Sequence, residues 1–143
     1  MRNRDAPVGF GEDHPDCLRV ESAPNACGPG NLVAVELGYE AVTEVLTGFG
    51  EKGVTAEAVA ERVVDEVRRY LATRVPVGEH LADQLMVPLA LAGGGAYKTM
   101  TLSRHAVTNR EVIGLFLDMP ITVEEAENRN VIVRVGKGAG GAT

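Results

Sequence analysis

Aromatic residues make up only 4% of this 143-residue chain, and tryptophan is absent. A core must therefore be built from Val, Leu, Ala and Ile rather than from stacked rings. Histidine occurs three times and cysteine twice. His14, Cys17 and Cys27 supply three zinc ligands at most, and no second cysteine pair follows, so no metal site is expected. The opening stretch MRNRDAPVGFGEDHPDC has no apolar signal core, which argues for free thiols in a cytoplasmic protein. No apolar run approaches the roughly 20 residues that span a bilayer, so no membrane partner is expected. Basic residues are outnumbered 14 to 20, for a net charge of −6. That balance excludes broad, non-specific nucleic-acid binding, which needs clustered Lys and Arg. A local basic pocket drawn from Lys98, Arg104 and Arg110 stays open. The devices G-x-S-x-G, C-x-x-C and G-x-x-x-x-G-K-[ST] are all missing, which removes the chemistries that depend on them.

What is present reads as two short regions. Residues 1–16 mix charge, Gly and Pro and read as a flexible lead-in. CLRVES (17–22) alternates Leu18 and Val20 with Arg19 and Glu21, the pattern of a half-buried strand. LVAVELGYE (32–40) and VTEVLTGF (42–49) predict two more strands. Thr55 is placed as the N-cap of a helix in which Val59, Val63, Val64, Val67, Tyr70 and Leu71 recur at helical spacing up to Arg74. Pro76 and Gly78 mark a boundary, giving a first region of 17–76 and a second of 77–135. The second region reads α-β-α-β-β. EHLADQLMVPLALAG (79–93) predicts a helix with Leu81, Leu85, Leu89 and Ala92 on its apolar face and a kink or break at Pro88. AYKTMTL (96–102) predicts a strand, TNREVIGLFL (108–117) a helix, and ITVEE (121–125) with VIVRV (131–135) a terminal hairpin. The remainder, 136–143, reads as a flexible tail. Three strands make a thin sheet for two helices to cover, so a strand is missing or shared.

GFGEKG (48–53) matches G-x-G-x-x-G between a strand and a helix. The match fails further on, because a dinucleotide fold needs a second strand and an acidic residue about 20 positions later. Arg68, Arg69 and Tyr70 stand there instead, still in the helix. The glycines are accordingly assigned to tight turns.

Two constellations remain. Thr108 and Glu111 have the spacing of a capping box, with Val107 and Val112 as its hydrophobic staple. This reading puts His105 three residues before a helix start, near free backbone N–H groups suited to a phosphate. An imidazole titrating near pH ~6.5 is a good nucleophile in neutral solution. A loop histidine is also, more blandly, a surface residue. His80, Asp83 and Gln84 lie at i, i+3 and i+4 and share one helical face. A ring, a carboxylate and an amide on one stripe suit a nucleobase and ribose; the bland alternative is a solvated polar face.

GEHLADQLMVPLALAGGGAYKT followed by SRHAVTNREVIGLFL resembles the carboxy-terminal part of the RNA 3′-terminal phosphate cyclase family. HPDCLRVESAPNACGPGNLVAVELGYEAVTEVLTGFGEKG resembles the later part of that family's small inserted domain. The resemblance runs from about residue 13 to about residue 125. It implies an α+β fold: the remainder of a βαβαββ repeat unit interrupted by a small inserted α/β domain and truncated at the N-terminus. It implies that His105 attacks the α-phosphate of ATP, carries AMP as a phosphoramidate, and passes it to an RNA 3′-phosphate, which then closes to a 2′,3′-cyclic end. It implies that His80, Leu81, Ala82, Asp83 and Gln84 line the adenosine pocket, with His80 facing the base. Ligands for Mg²⁺ are expected in a missing amino-terminal part, since the chain is less than half the family's usual length. The implied partners are ATP, RNA 3′-phosphate ends, and a missing N-terminal half or a second copy. Two alternatives stand beside this reading. One is a truncated, non-catalytic RNA-processing or binding module of the same family. The other is a free-standing module that dimerises through an unpaired sheet edge.

Overall fold

The structure, a computed structural model, describes residues 17–25, 27, 28 and 30–136. The lead-in expected at 1–16 and the tail from residue 137 lie outside the described residues. Helices and antiparallel sheets make a mixed α/β arrangement that divides into two compact units between Arg69 and Tyr70.

In the first unit, β1 (Leu32–Gly38) and β2 (Thr43–Phe49) pair antiparallel, with Leu32 opposite Phe49 and Gly38 opposite Thr43. The backbone turns between them through a bond from the Tyr39 N–H to the Val42 carbonyl, 2.8 Å. Alternation along β2 buries Glu44 and Leu46 and leaves Val45 exposed. Helix α1 (Ala56–Thr73), which belongs to this unit as far as Arg69, begins where expected: the Thr55 hydroxyl accepts the Ala58 N–H at 3.2 Å. Val59, Val63 and Val67 form its buried row, whereas Val64 is 42% exposed, so the apolar stripe is narrower than the sequence pattern.

The glycines of 48–53 have structural work here. A Cβ at Gly48 would meet Val63 Cγ2 at 2.5 Å, so only glycine lets α1 lie this close to β2. Gly53 has φ +85° in the turn before the helix. CLRVES does not form the expected strand: residues 18–23 have no regular structure, and Leu18 and Val20 are 84% and 92% exposed. Alternation allows a strand, but a strand needs a neighbour for its N–H and C=O groups, and among the described residues none takes them.

In the second unit, β3 (Gly95–Thr99), β4 (Ile121–Glu125) and β5 (Val131–Val135) form an antiparallel sheet in the order β3-β5-β4. Tyr97 stands opposite Val133, which stands opposite Val123. These residues share one face with Thr99 and Val135, and Tyr97, Thr99, Val133 and Val135 are buried. The other face is mostly polar, and Arg134 Nε meets Glu124 Oε1 there at 3.0 Å.

Helix α2 (Glu79–Leu91) covers the apolar face. Its buried row is Ala82, Met86 and Ala90. The expected row of Leu81, Leu85 and Leu89 is half-buried, one residue round the helix. Small residues win the central position because they let the helix approach the sheet. At the far end Gly95 accepts the Leu89 side chain where a Cβ would stand 2.7 Å from it.

The helix also runs unbroken through Pro88, against the expected kink or break. Proline removes its own bond to the carbonyl four residues back, that of Gln84, and both residues are solvent-exposed. Gly93, with φ +92°, closes the helix. No helix among the described residues is long and apolar enough to cross a membrane.

Candidate functional site

Helix α3 (Arg104–Phe116) starts four residues before the expected Thr108. Ser103 is its cap: extended backbone (φ −67°, ψ 165°) places its hydroxyl to accept the Ala106 N–H at 3.2 Å. The earlier start adds a turn that buries Ala106 completely, on the same face as Ile113. That burial outweighs the capping box of Thr108 and Glu111. Thr108 is an interior helical residue, and Val107 and Val112 are 37% and 42% exposed rather than stapled together. His105 is therefore not a loop residue upstream of a helix. It is the second residue of α3, exposed in the first turn.

The sheet sets how α2 and α3 lie. Thr99, at the end of β3, donates its hydroxyl to the Gly78 carbonyl at 3.4 Å, just before α2 begins. Ser103, which caps α3, follows four residues after Thr99. Both helices therefore start at the same end of β3 and run side by side in one direction. The β4–β5 turn is at this end too, because Val131 pairs with Thr99, and the Thr101 hydroxyl bonds the Arg129 carbonyl at 2.9 Å.

One side chain ties the helices together. Asn109 Nδ2 on α3 donates to the Asp83 carbonyl at 3.1 Å and to Asp83 Oδ1 at 2.9 Å on α2. Oδ2 of Asp83 has no protein partner among the described residues. His105 is four residues before Asn109, and His80 is three residues before Asp83. On helices those spacings keep each pair on a common face. The two histidines thus occupy equivalent places, each second in its helix, one turn above the Asp83–Asn109 bond.

The other expected site residues differ in access. His80 and Gln84 are exposed, Leu81 and Asp83 are half-buried, and Ala82 is 1% exposed against the sheet. The Ala82 carbonyl accepts the Tyr97 hydroxyl at 2.5 Å. Burial, with the Asp83 carboxylate adding to it, pushes the Tyr97 phenol well above its ordinary range, so it stays a neutral donor.

Lys98, Arg104 and Arg110 do not form one basic pocket. Lys98 alternates with Tyr97 and lies on the sheet face away from α2, whereas Arg104 and Arg110 are on α3. In the first unit an open groove of about 500 Å³ is lined by Arg62, Asp65, Arg68 and Arg69, and two of these arginines are paired, with Glu51 and Asp65. Cys17 and Cys27 are exposed free thiols, and His14 lies outside the described residues. Among the described residues no three His, Cys, Asp or Glu side chains come together to hold a metal ion.

Sequence reasoning missed three residues that build this site: Ser103, Tyr97 and, as the partner of Asp83, Asn109. Ser103 carried a signal, being a cap residue directly before helix formers. Asn109 is four residues from His105, but no local pattern announces a partner 26 residues away.

The chain is similar in sequence to known proteins of one family. A family model described as RNA 3'-terminal phosphate cyclase matches residues 6–123. An RNA 3'-terminal phosphate cyclase of Ralstonia nicotianae is 50% identical over 116 residues, covering 81% of this chain and 33% of that protein. One from Salmonella agona is 49% identical over 107 residues, covering 75% and 31%, and one from Koribacter versatilis is 42% identical over 114, covering 80% and 32%. The chain spans about a third of the length of these relatives. With most of its described residues inside the matched region, the chain belongs to the RNA 3'-terminal phosphate cyclase family.

Proposed function

We propose that this chain carries the nucleophile and the adenosine-binding stripe of an ATP-dependent RNA 3′-phosphate cyclase. The observation that supports this most is the placement of His80 and His105 in the first turns of two parallel helices joined by Asp83 and Asn109. His105 attacks the α-phosphorus of ATP. A P–N bond forms, the bond to the β-phosphate oxygen breaks, and pyrophosphate leaves. An oxygen of the RNA 3′-phosphate then displaces the imidazole. The adjacent 2′-hydroxyl, held at high effective concentration, closes on the activated phosphorus, loses its proton and expels AMP.

His80 faces the base along the stripe that Leu81 and Ala82 position. The free Oδ2 of Asp83 and the Gln84 amide take the ribose hydroxyls. The Asn109 bond holds the Asp83 carboxylate in one orientation, so less ordering is needed when the nucleotide binds. The side chains described here do not assemble a Mg²⁺ site, and the ligands for that ion are assigned to the part of the family polypeptide that this chain does not span. On the same reading, 77–135 is the end of a βαβαββ unit of the catalytic domain, 17–76 is part of the small inserted domain, and the protein acts in the cytoplasm.

The test is covalent labelling with ATP carrying a radioactive α-phosphate. A chimera in which this chain replaces the matched third of the Ralstonia relative should take up an acid-labile, base-stable label. His105→Ala should abolish it. An unlabelled chimera, or a label that survives His105→Ala, removes the proposal. The chain's short span favours one second reading: alone it is a non-catalytic piece or binding module. Steady-state cyclisation by the isolated chain should accordingly be far below that of a full-length relative.

A further inference from the structure

A short link, Met100 to Leu102, joins the end of β3 to the Ser103 cap of α3, and it sets where His105 stands. Among the described residues, none of these three takes part in a backbone–backbone hydrogen bond outside the strand ladder. The link is tied by a side chain instead: the Thr101 hydroxyl donates to the Arg129 carbonyl at 2.9 Å. Thr101 precedes the cap by two residues and His105 by four. The acceptor is a firm point although Arg129 is exposed. It ends the turn Glu127–Arg129 with φ +63°, directly after Asn128 at φ +60°. Two successive left-handed residues persist only where the surroundings hold them. Asn130 does the holding, at 3% exposure. Its Nδ2 donates to the Thr73 carbonyl at 2.9 Å, its N–H to the Glu127 carbonyl at 3.1 Å, and its carbonyl takes the Ala126 N–H at 2.8 Å. Thr73 belongs to this same unit, and Val131 then enters β5 opposite Thr99.

We propose that Thr101 is a positioning residue for His105: its bond to the Arg129 carbonyl sets the height of the imidazole relative to the His80–Asp83 stripe. The inference rests on the reaction proposed above. Helix α3 is tied at two levels, by Thr101 before its first turn and by Asn109 to Asp83 in its second, and His105 lies between them. A ring nitrogen that attacks phosphorus must approach in line with the departing oxygen, and a displacement of about 1 Å costs up to about a hundredfold in rate. Thr101 acts through the backbone of the link, without touching nucleotide. Asp83 and Gln84 lie on α2, whose start is held separately by the bond from the Thr99 hydroxyl to the Gly78 carbonyl. Loss of the Thr101 bond therefore slows formation of the P–N bond and leaves ATP affinity in place.

The test compares Thr101→Val, which keeps the shape and removes the hydroxyl, with Thr101→Ser, which keeps the donor. In the chimera with the Ralstonia relative, the rate constant of His105 labelling at saturating ATP should fall about tenfold for Thr101→Val. The ATP concentration that half-saturates labelling should change less than about twofold. Thr101→Ser should return the rate to near that of the parent, and Thr122→Val, an exposed threonine on β4, should leave it unchanged. A variant that merely loosens the fold lowers the amount of protein labelled, not the rate constant of the folded fraction, so amplitude and rate separate the two effects. Amide hydrogen exchange of the 143-residue chain gives a reading without nucleotide. Thr101→Val should speed exchange at Ala106 and Val107, whose N–H groups bond Ser103, by about fivefold, and leave β5 unchanged. A Thr101→Val chimera that labels at the parent rate overturns the inference, as does a loss that Thr101→Ser fails to restore or a weakened ATP affinity at unchanged rate. A parent chimera without label sinks the chemistry, and unchanged exchange at Ala106 and Val107 then sinks the clamp as well.

Discussion

Asn109 holds Asp83 twice, through its backbone carbonyl at 3.1 Å and its carboxylate at 2.9 Å, with one amide group on α3 gripping one residue on α2. Two hydrogen bonds, one to a charged acceptor in a half-buried place, contribute about 1–2 kcal/mol net. Asn109→Ala should cost that much in chemical unfolding of the chain. Asn109→Asp should cost more, because it sets a second carboxylate against the first. If both variants unfold like the parent, the bridge is not holding the helices in register.

The start of α3 gives a second prediction. Ser103→Ala removes the hydroxyl that takes the Ala106 N–H and should destabilise the chain by about 1 kcal/mol, whereas Ser103→Asp should keep the cap. Thr108→Ala should change stability by no more than about 0.5 kcal/mol, since Thr108 is inside the helix and exposed. The opposite ranking of Ser103 and Thr108 in urea melts would restore the later helix start.

Tyr97 predicts a pH dependence. Its phenol is raised above the ordinary 10.0 by burial and by Asp83. The folded chain therefore keeps this proton at a pH where the unfolded chain gives it up. The resulting stabilisation is whole below pH 10 and declines as pH rises above it. Tyr97→Phe should lose about 1 kcal/mol at neutral pH, with the lost bond to the Ala82 carbonyl. It should also show a shallower fall in stability above pH 10 than the parent. Parallel stability curves for the two proteins between pH 9 and 11 would contradict this.

The β4–β5 turn carries strain that glycine would relieve. Asn128 and Arg129 have φ values of +60° and +63°, the left-handed region that L-residues other than Asn and Asp resist. Arg129→Gly should stabilise the chain by about 0.5 kcal/mol, after the entropy cost of glycine, because the Arg129 carbonyl still accepts the Thr101 hydroxyl. Arg129→Val should destabilise it by about 1–2 kcal/mol. Calorimetry of the two variants decides the sign.

Much of the candidate site's placement was legible residue by residue. HLADQ and His105 stood out in the sequence, and helical spacing alone put His80, Asp83 and Gln84 on one stripe. The helix holding His105 was legible as well, but its start was placed a turn too late. Two cap signals compete there, and local spacing cannot weigh the burial of Ala106 against a capping box. The leucines of α2 were read as the buried row for a similar reason. Hydrophobicity ranks Leu above Ala, while a close helix–sheet contact ranks them by size.

The amino-acid order by itself determined the local periods: a helix wherever apolar residues recur every three or four positions, a hairpin wherever two alternating runs flank a polar turn. Those depend only on neighbours in the chain. The tertiary structure decided which alternating runs became strands, since among the described residues CLRVES pairs with no strand and VIVRV pairs with two. It also decided that Asp83 and Asn109 meet. Pairing across distance is settled by which arrangement buries the most apolar surface with every polar group satisfied, and that is a property of the assembled layers.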